Sequence, residues 1–427
     1  MAKFIFEKFN FDQASMIASF SYRFDNGMKF EEKVIFESSI NYNRELLDRV
    51  MFLSFVIVGI SYYKLFPTSE VIFETGNIDD WQAVFFNKVY QEGLGQFAYE
   101  NNLTRDNLAK FLPTNNIELE PIAYNEKGIL SLQSGGKDSL LTATLLKINQ
   151  NSFTPWYVQY SSSYPKFLDD FDEPLLMAKR IIDKQALALG QKNAGLNGHV
   201  PVTYIIASFA LIQAVLTGCN QILLSIGHEG EEPHGWIGDL AVNHQWAKTF
   251  EAEQLLADYI SRYVSSDISI GSPLRCYSEL KIAELFVNNA WHEYGNKFSS
   301  CNLANYMQGS DNSQLKWCGK CPKCLNSYLL FAAFLPAVEL QSIFNDKDLF
   351  AEVELQDMFK GLLGLGNFMK PFECIAEIDE LRLAYHKSQL KLGYAKLPFD
   401  VPLSKFDYST QYPSQNKLTK LLDLKKN

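Results

Sequence analysis

Apolar and polar positions alternate with a period of two early in the chain. Phe20, Tyr22 and Phe24 alternate with Ser19, Ser21 and Arg23, and Phe30, Val34 and Phe36 resume beyond Asp25-Asn26-Gly27. Such alternation buries one row of side chains, and Asn-Gly between two runs supplies the positive φ angles of a type I′ turn, so a β-hairpin is expected. Over 44–65 the period becomes helical. Its apolar run from Val50 to Ile60 contains Ser54 and falls short of the ~20 residues that span a bilayer, so it reads as a buried helix. A strand near 71–74, a helix over 81–90 and a tight junction at Gly93 and Gly95 follow, with Pro113 in a polar stretch and a turn-rich linker over 121–127. The first domain boundary is placed near 122.

From 123 the pattern is an α/β rhythm, with strands expected at 128–133, 154–160 and 221–226 and helices at 137–149, 174–187 and 201–217. Strands alternating with helices predict a parallel sheet covered on both faces, a Rossmann-like arrangement whose ligands lie at the carboxyl ends of strands. Those ends carry residues 134–139, Tyr160 to Tyr164, and Gly227-His228-Glu229. Asn197-Gly198-His199-Val200-Pro201 also points helix-start donors toward a ligand. The expected organisation is an α+β domain over 1–122, the parallel-sheet domain over 123–335 and a mainly helical segment over 336–427.

Composition narrows the class. The chain has 427 residues, is 47% hydrophobic and 14% aromatic, and carries a net charge of −10. This predicts a globular chain with a large core and argues against a nucleic-acid partner, which needs a basic face. The only basic stretch is Lys417 to Lys426. The N-terminus has no signal-peptide pattern, and neither it nor the Val50 to Ile60 run suggests a membrane partner. A cytoplasmic location is expected, and the seven scattered or metal-spaced cysteines fit a reducing compartment. Oligomeric state is not legible.

The candidate chemistry begins at Ser134-Gly135-Gly136-Lys137-Asp138-Ser139, between an apolar strand and a helix whose inner face is Leu140, Leu141, Leu145 and Leu146. Adjacent glycines let the backbone approach an anion, and the helix start offers unpaired N–H groups and the positive end of its dipole. Ser134 and Ser139 can donate to phosphate oxygens, Lys137 can neutralise charge and Asp138 can hold Mg²⁺. The motif resembles the PP-loop of the ATP pyrophosphatase family at every fixed position. That resemblance implies cleavage of ATP to AMP and pyrophosphate with adenylation of a substrate oxygen.

Residues 227–248 hold His228, Glu229, Glu231, Glu232, His234, Asp239 and His244. His228 and Glu229 directly follow a strand, and His244 opens a helical stretch near the same edge, so these three are catalytic candidates. Glu231, Glu232 and His234 read as a solvated loop. Tyr62, Tyr63 and Lys64 fit either a ligand site or a helix end packed into a core. Cys301, Cys318, Cys321 and Cys324 have the spacing of a closed four-thiolate site, with zinc preferred, an iron–sulfur cluster second and free thiols third. A similar cysteine group occurs in cyano-deazaguanine synthase, a zinc-binding PP-loop enzyme. The rival reading is therefore a PP-loop ligase that adenylates a carboxylate and uses ammonia. A non-enzymatic nucleotide-binding module is a third reading, against which the intact Lys137 and Asp138 count.

A closer resemblance rests on Gly-Ile-Ser-Tyr-Tyr-Lys at 59–64, Glu-Gly-Leu-Gly at 92–95, Asn-Gly-His-Val-Pro-Val-Thr at 197–203 and Val-Asn-His-Gln at 242–245. Phe-Ser-Ser-Cys-Asn at 298–302, Trp-Cys-Gly-Lys-Cys-Pro-Lys-Cys at 317–324 and Lys-Pro-Phe-Glu-Cys at 370–374 complete it. Together they resemble the UDP-N-acetylmuramoyl-L-alanyl-L-glutamate epimerases over residues 10 to about 380. The chain departs from that pattern at Gly227-His228-Glu229, where an Asn-Glu pair is expected. The resemblance implies ATP and Mg²⁺ as cofactors, a UDP-sugar dipeptide as partner, and conversion of its terminal L-glutamate to D-glutamate. Catalysis is then expected from Lys137 and Asp138, with His228, Glu229, His244, Glu373 and Cys374 as candidates for moving the α-proton. Tyr62, Tyr63, Lys64 and His199 are expected to hold substrate.

Overall fold

The computed structural model describes residues 3–37, 42–114, 119–307, 310–414 and 416–422. The end of the basic stretch, from 423, lies outside the described residues. Its described part, Lys417–Leu421, is a short 3-10 turn that buries Leu418.

Strands β1 (Lys3–Asp12), β2 (Ile17–Phe24), β3 (Lys29–Phe36), β4 (Glu70–Phe73), β5 (Ile129–Leu132), β6 (Thr154–Gln159), β7 (Leu176–Ile181) and β8 (Gln221–Leu223) lie in one sheet. Two short strands, β9 (Gly235–Ile237) and β10 (Leu240–Val242), pair apart from it, and β11 (Ser269–Gly271) completes it. Among the described residues the sheet has nine strands in the order β11-β8-β5-β6-β7-β3-β2-β1-β4. From β11 to β7 all pairings are parallel, β7 meets β3 antiparallel, and β3, β2 and β1 continue as an antiparallel meander. The mixed α/β fold therefore has a large, mostly parallel centre, and strands from both sides of residue 122 share one continuous sheet.

Two expectations are corrected. Residues 174–187 are not a helix: β7 occupies Leu176–Ile181, and the helix begins only at Lys184, capped by Asp183. Local propensity loses to tertiary pairing here, because this segment satisfies the open edges of both β6 and β3. Its inward Arg180 clasps buried Glu32 of β3 through Nε–Oε1 at 2.6 Å and Nη2–Oε2 at 3.1 Å. The hairpin of β2 and β3 forms as expected, but not through a type I′ turn. Phe24 N–H bonds Met28 O, and of the turn residues only Gly27, at φ +86°, is left-handed, which makes a three-residue loop.

Opposite faces of the sheet carry two cores. One joins β1 to β3 with the Arg44–Tyr63 and Val202–Thr217 helices, which touch where Ser54 Oγ donates to Ser208 O at 3.1 Å. The Arg44–Tyr63 helix is long and apolar enough to cross a membrane, but 78% of its apolar window is buried inside the fold. The second core packs the Lys137–Ile148 and Glu279–Asn289 helices against the C-terminal helices Pro322–Ala332, Gln356–Leu362 and Ile378–Ser388.

Candidate functional site

Within the parallel half the chain runs from β5 outward to β6 and β7, then returns to β8 on the other side of β5 and on to β11. Strand order thus reverses between β5 and β8, and the loops leaving their carboxyl ends part to open a crevice. After β5 comes the glycine loop. Gly135 has φ +77°, a backbone conformation that favours glycine, and a Cβ there would crowd Leu315 Cδ1 at 2.7 Å. The Lys137–Ile148 helix has no side-chain cap, which leaves its first-turn N–H groups directed at the crevice. Ser139 Oγ steadies the turn by donating to Gly136 O at 3.1 Å.

Charged side chains from three strand ends converge on this loop. Lys137 Nζ lies 2.6 Å from Asp138 Oδ1 and 2.5 Å from Oε2 of Glu279, which follows β11. Glu229, which follows β8, pairs with Lys248 at 3.0 Å. Lys137, Glu229 and Glu279 are all buried. Burial works against the Lys137 ammonium, but Asp138 and Glu279 outweigh it and hold its pKa above the ordinary lysine value. The two carboxylates are driven apart. Burial dominates at Glu279 and, against the pull of Lys137, pushes its carboxyl up to about 8. At Glu229 burial is overcome by Lys248 and Lys137, and the carboxyl stays below its usual value. Glu279 Oε1 has no hydrogen-bond partner although it is buried. A cation already sits between Asp138 and Glu279 in the form of Lys137, and hard oxygen donors with one lone site open are the donor set that suits Mg²⁺.

Beside Ser134 a cavity of about 270 Å³ lies between Trp156, Tyr157, Tyr160, Val202, Asn302 and Tyr306. Tyr306 closes it onto the glycine loop, its hydroxyl donating to Ser134 O at 3.1 Å. Larger clefts around Trp81 and along β4 are remote from these groups in sequence and lined by other elements.

The crevice's other wall holds His244, whose Nδ1 is 2.6 Å from Gln96 Oε1 and whose ring centroid is 4.3 Å from that of His199. Burial lowers His244 to about 4, while burial followed by His244 and Lys64 lowers His199 to about 3. Lys64 Nζ donates to Asn197 Oδ1 at 3.0 Å and Gly198 O at 2.9 Å, and burial first, then Arg180, brings it down to about 8. Residues 370–375 cross the same wall. Lys370 pairs with Glu232 at 2.7 Å, His234 Nε2 meets Pro371 O at 3.0 Å, and Gln245 Nε2 donates to Ile375 O at 2.9 Å. Glu232 and His234 therefore pin this segment, which corrects the expectation of a solvated loop. Glu231 accepts from Phe250 N, and Asp239 pairs with Arg105. Glu373 accepts from Asn302 Nδ2 at 3.1 Å, and its charge acts on His244. Burial disfavours the Lys248 ammonium, and Cys374, Glu229, Asp138 and Glu279 more than compensate, holding its pKa above the ordinary lysine value.

Three expected site residues stand elsewhere. His228 stacks on Tyr412 with centroids 3.6 Å apart, and burial followed by Arg275 lowers it to about 4. Tyr62 and Tyr63 have no exposed surface. Tyr62 donates to Glu32 Oε2 at 2.8 Å and joins the buried Glu32–Arg180 pair, while Tyr63 donates to Thr68 O at 3.0 Å, so both are core residues.

The four cysteines do converge. Their Sγ atoms lie within 4.8 Å of one another, with Cys301–Cys321 and Cys318–Cys324 at 3.6 Å and Cys321–Cys324 at 3.5 Å. A tetrahedron with metal–sulfur bonds of about 2.3 Å has edges of about 3.8 Å, so the cluster fits zinc. Cys301 and Cys321 are also the N-caps of the Asn302–Asn305 and Pro322–Ala332 helices, and Gly319, at φ +70°, turns the knuckle between Cys318 and Cys321.

Sequence reading missed Glu279, Lys248, Asn302 and Lys323. Only Glu279 carries a local signal, since Ser278 accepts from Lys281 N as an N-cap, but three-residue β11 is too short to mark a strand end.

These features define an α/β protein with a glycine loop and buried charged side chains at its strand-order reversal, beside a four-thiol knuckle. Residues 1–272 match the MurL N-terminal domain and residues 297–398 the MurL C-terminal domain. The chain belongs to the MurL family. It is 30% identical over 409 residues to a UDP-N-acetyl-alpha-D-muramoyl-L-alanyl-L-glutamate epimerase of Salinispora tropica, covering 93% of this chain and 87% of that one. A protein of the same name from Xanthomonas oryzae pv. oryzae is 29% identical over 389 residues, 90% of this chain and 85% of its own. A third, from a Micromonospora strain, is 30% identical over 393 residues, 89% and 85% respectively.

Proposed function

We propose that this chain uses ATP to epimerise the terminal L-glutamate of UDP-N-acetylmuramoyl-L-alanyl-L-glutamate to D-glutamate, in cytoplasmic synthesis of peptidoglycan precursor. The observation that carries the reading is the glycine loop whose Lys137 is clasped by Asp138 and Glu279, with the buried Glu229–Lys248 pair at the neighbouring strand end.

The obstacle is electrostatic. Removing a proton next to an ionised carboxylate places a carbanion beside a negative charge. Attack of the α-carboxylate oxygen on the α-phosphorus of ATP breaks the bond to pyrophosphate and forms an acyl-adenylate, which withdraws electrons and brings the α-proton within reach of an ordinary base. In this reading the glycine loop is a PP-loop. Its N–H groups and Lys137 stabilise the phosphates as pyrophosphate leaves. The aromatic cavity beside Ser134 suits the adenine ring. Asp138 and Glu279 would hold Mg²⁺, which when bound supplies charge neutralisation at the phosphates. The four cysteines would hold structural zinc.

His244 and Cys374 are assigned to proton transfer at Cα, with Glu229 and Glu373 as supporting carboxylates. His244 is neutral near pH 7 because of burial, which lets it accept a proton. Return of a proton to the other face inverts the centre, and water then releases AMP. Lys64 and His199 offer cationic and hydrogen-bonding groups to the rest of the substrate. His228, turned to Tyr412, is not part of the assignment.

Incubation with Mg-ATP and the L-glutamyl substrate should release pyrophosphate and, after acid hydrolysis, yield D-glutamate, with both lost in Asp138→Ala. Pyrophosphate without D-glutamate would favour an ammonia-consuming ligase, and neither product would refute the substrate assignment.

A further inference from the structure

Lys323 sits between two metal-spaced cysteines yet belongs spatially to the crevice. Among the described residues its Nζ is held only by Asn302 Oδ1, at 3.5 Å, and makes no ion pair. Its charge nevertheless acts on His244. Asn302 links this ammonium to an acid, because its Nδ2 donates to Glu373 at 3.1 Å. The amide thus meets the cation through its oxygen and Glu373 through its nitrogen. Asn302 also lines the cavity beside Ser134, and Tyr306, one turn on, bonds the Ser134 carbonyl. A cation without an ion pair among the described residues is therefore presented beside the glycine loop by an element anchored at the four-thiol cluster.

We propose that Lys323 is the specificity residue for an acidic side chain: it receives the distal carboxylate of the residue whose α-carboxylate lies at the glycine loop. The inference rests on the epimerase reading and deepens it. A glutamyl residue carries a second carboxylate two methylenes from the reacting carbon, and the site must hold that group while the α-carbon changes configuration. A fixed ammonium does so without touching the reacting atoms. A neutral amide of the same shape leaves the lysine charge unmatched and is rejected. Lys323 also links the knuckle to catalysis, since losing the metal would free the cation from its place.

The test compares UDP-N-acetylmuramoyl-L-alanyl-L-glutamate with its glutaminyl counterpart, reading kcat/KM from formation of the D-isomer. Unaltered protein should prefer the glutamyl substrate by about a hundredfold or more. In Lys323→Met that preference should collapse to within about threefold, through a raised KM for the glutamyl substrate, with the KM for ATP and the zinc content unchanged. Lys323→Arg should keep most of the preference. The ratio is taken on one preparation, so any misfolded fraction cancels. Equal losses on both substrates, with or without loss of zinc, would mean that Lys323 only balances thiolate charge and would overturn the proposal, as would an unchanged preference in Lys323→Met. If the unaltered protein makes no D-isomer from either substrate, the epimerase reading itself fails and this proposal with it. Failure of Lys323 alone leaves D-glutamate formation intact.

Discussion

His244 shows how burial sets chemistry at the scale of one residue. A proton on its ring would be desolvated, so the ring stays neutral down to about pH 4. If it accepts the α-proton, the acid limb of kcat/KM should fall near pH 4, whereas a limb near the ordinary histidine value of about 6.5 would exclude it. His199, His228 and His234 are lowered to about 3, 4 and 4, in each case by burial first. Their folded values lie below the unfolded one, so as pH falls below about 6.5 the unfolded chain binds protons first. The stability they contribute is complete above that pH and is lost as it approaches 4. Urea midpoints at pH 7 and pH 5 should show the loss, and a midpoint that does not fall between them would contradict it.

Among the elements, the cysteine knuckle does most with least sequence. One of its thiols, Cys301, caps a helix by accepting from Ala304 N and Cys321 stands at the start of another, and the residues beside the cluster, Asn302 and Lys323, face the crevice. Metal loss should therefore reach both stability and activity. Cys318→Ser, or treatment with a strong chelator, is expected to lower the thermal midpoint by about 5–10 °C and reduce activity, and metal analysis of the intact protein decides between zinc and iron. An unchanged midpoint after chelation would mean that the thiols are merely packed. Strand β7 makes the opposite point, since nothing near residues 176–181 announces a strand, and its conformation is imposed by β6 and β3.

For the whole molecule the seam between β3 and β7 is decisive, because it joins the meander to the parallel strands in one sheet. Its buried bond is the Arg180–Glu32 pair, with side chains 5% and 0% exposed. Removing one partner strands the other charge in the core. Glu32→Gln should cost about 3 kcal/mol, read as a lower urea midpoint, with both halves unfolding in one transition. A separate early transition for residues 1–122 would show instead that the two sides of the sheet stand independently.

What the amino-acid sequence determined by itself was whatever lies within a few consecutive residues. The glycine loop from Ser134 to Ser139 and the Cys318, Cys321 and Cys324 spacing are local, because a turn or knuckle is built from neighbours along the chain. The hairpin of β2 and β3 was legible for the same reason, although the loop closed with three residues and not two. Tertiary structure alone decided the rest. Glu229, Glu279 and Lys248 come from separate segments and meet Lys137 only because strand order reverses between β5 and β8. Tyr62 and Tyr63 look the same in sequence whether they face a ligand or a core, and the buried Glu32 and Arg180 drew one of them inward. Burial is a property of the packed chain, and so the neutral histidines and the divided carboxylates could be read only once the chain was folded.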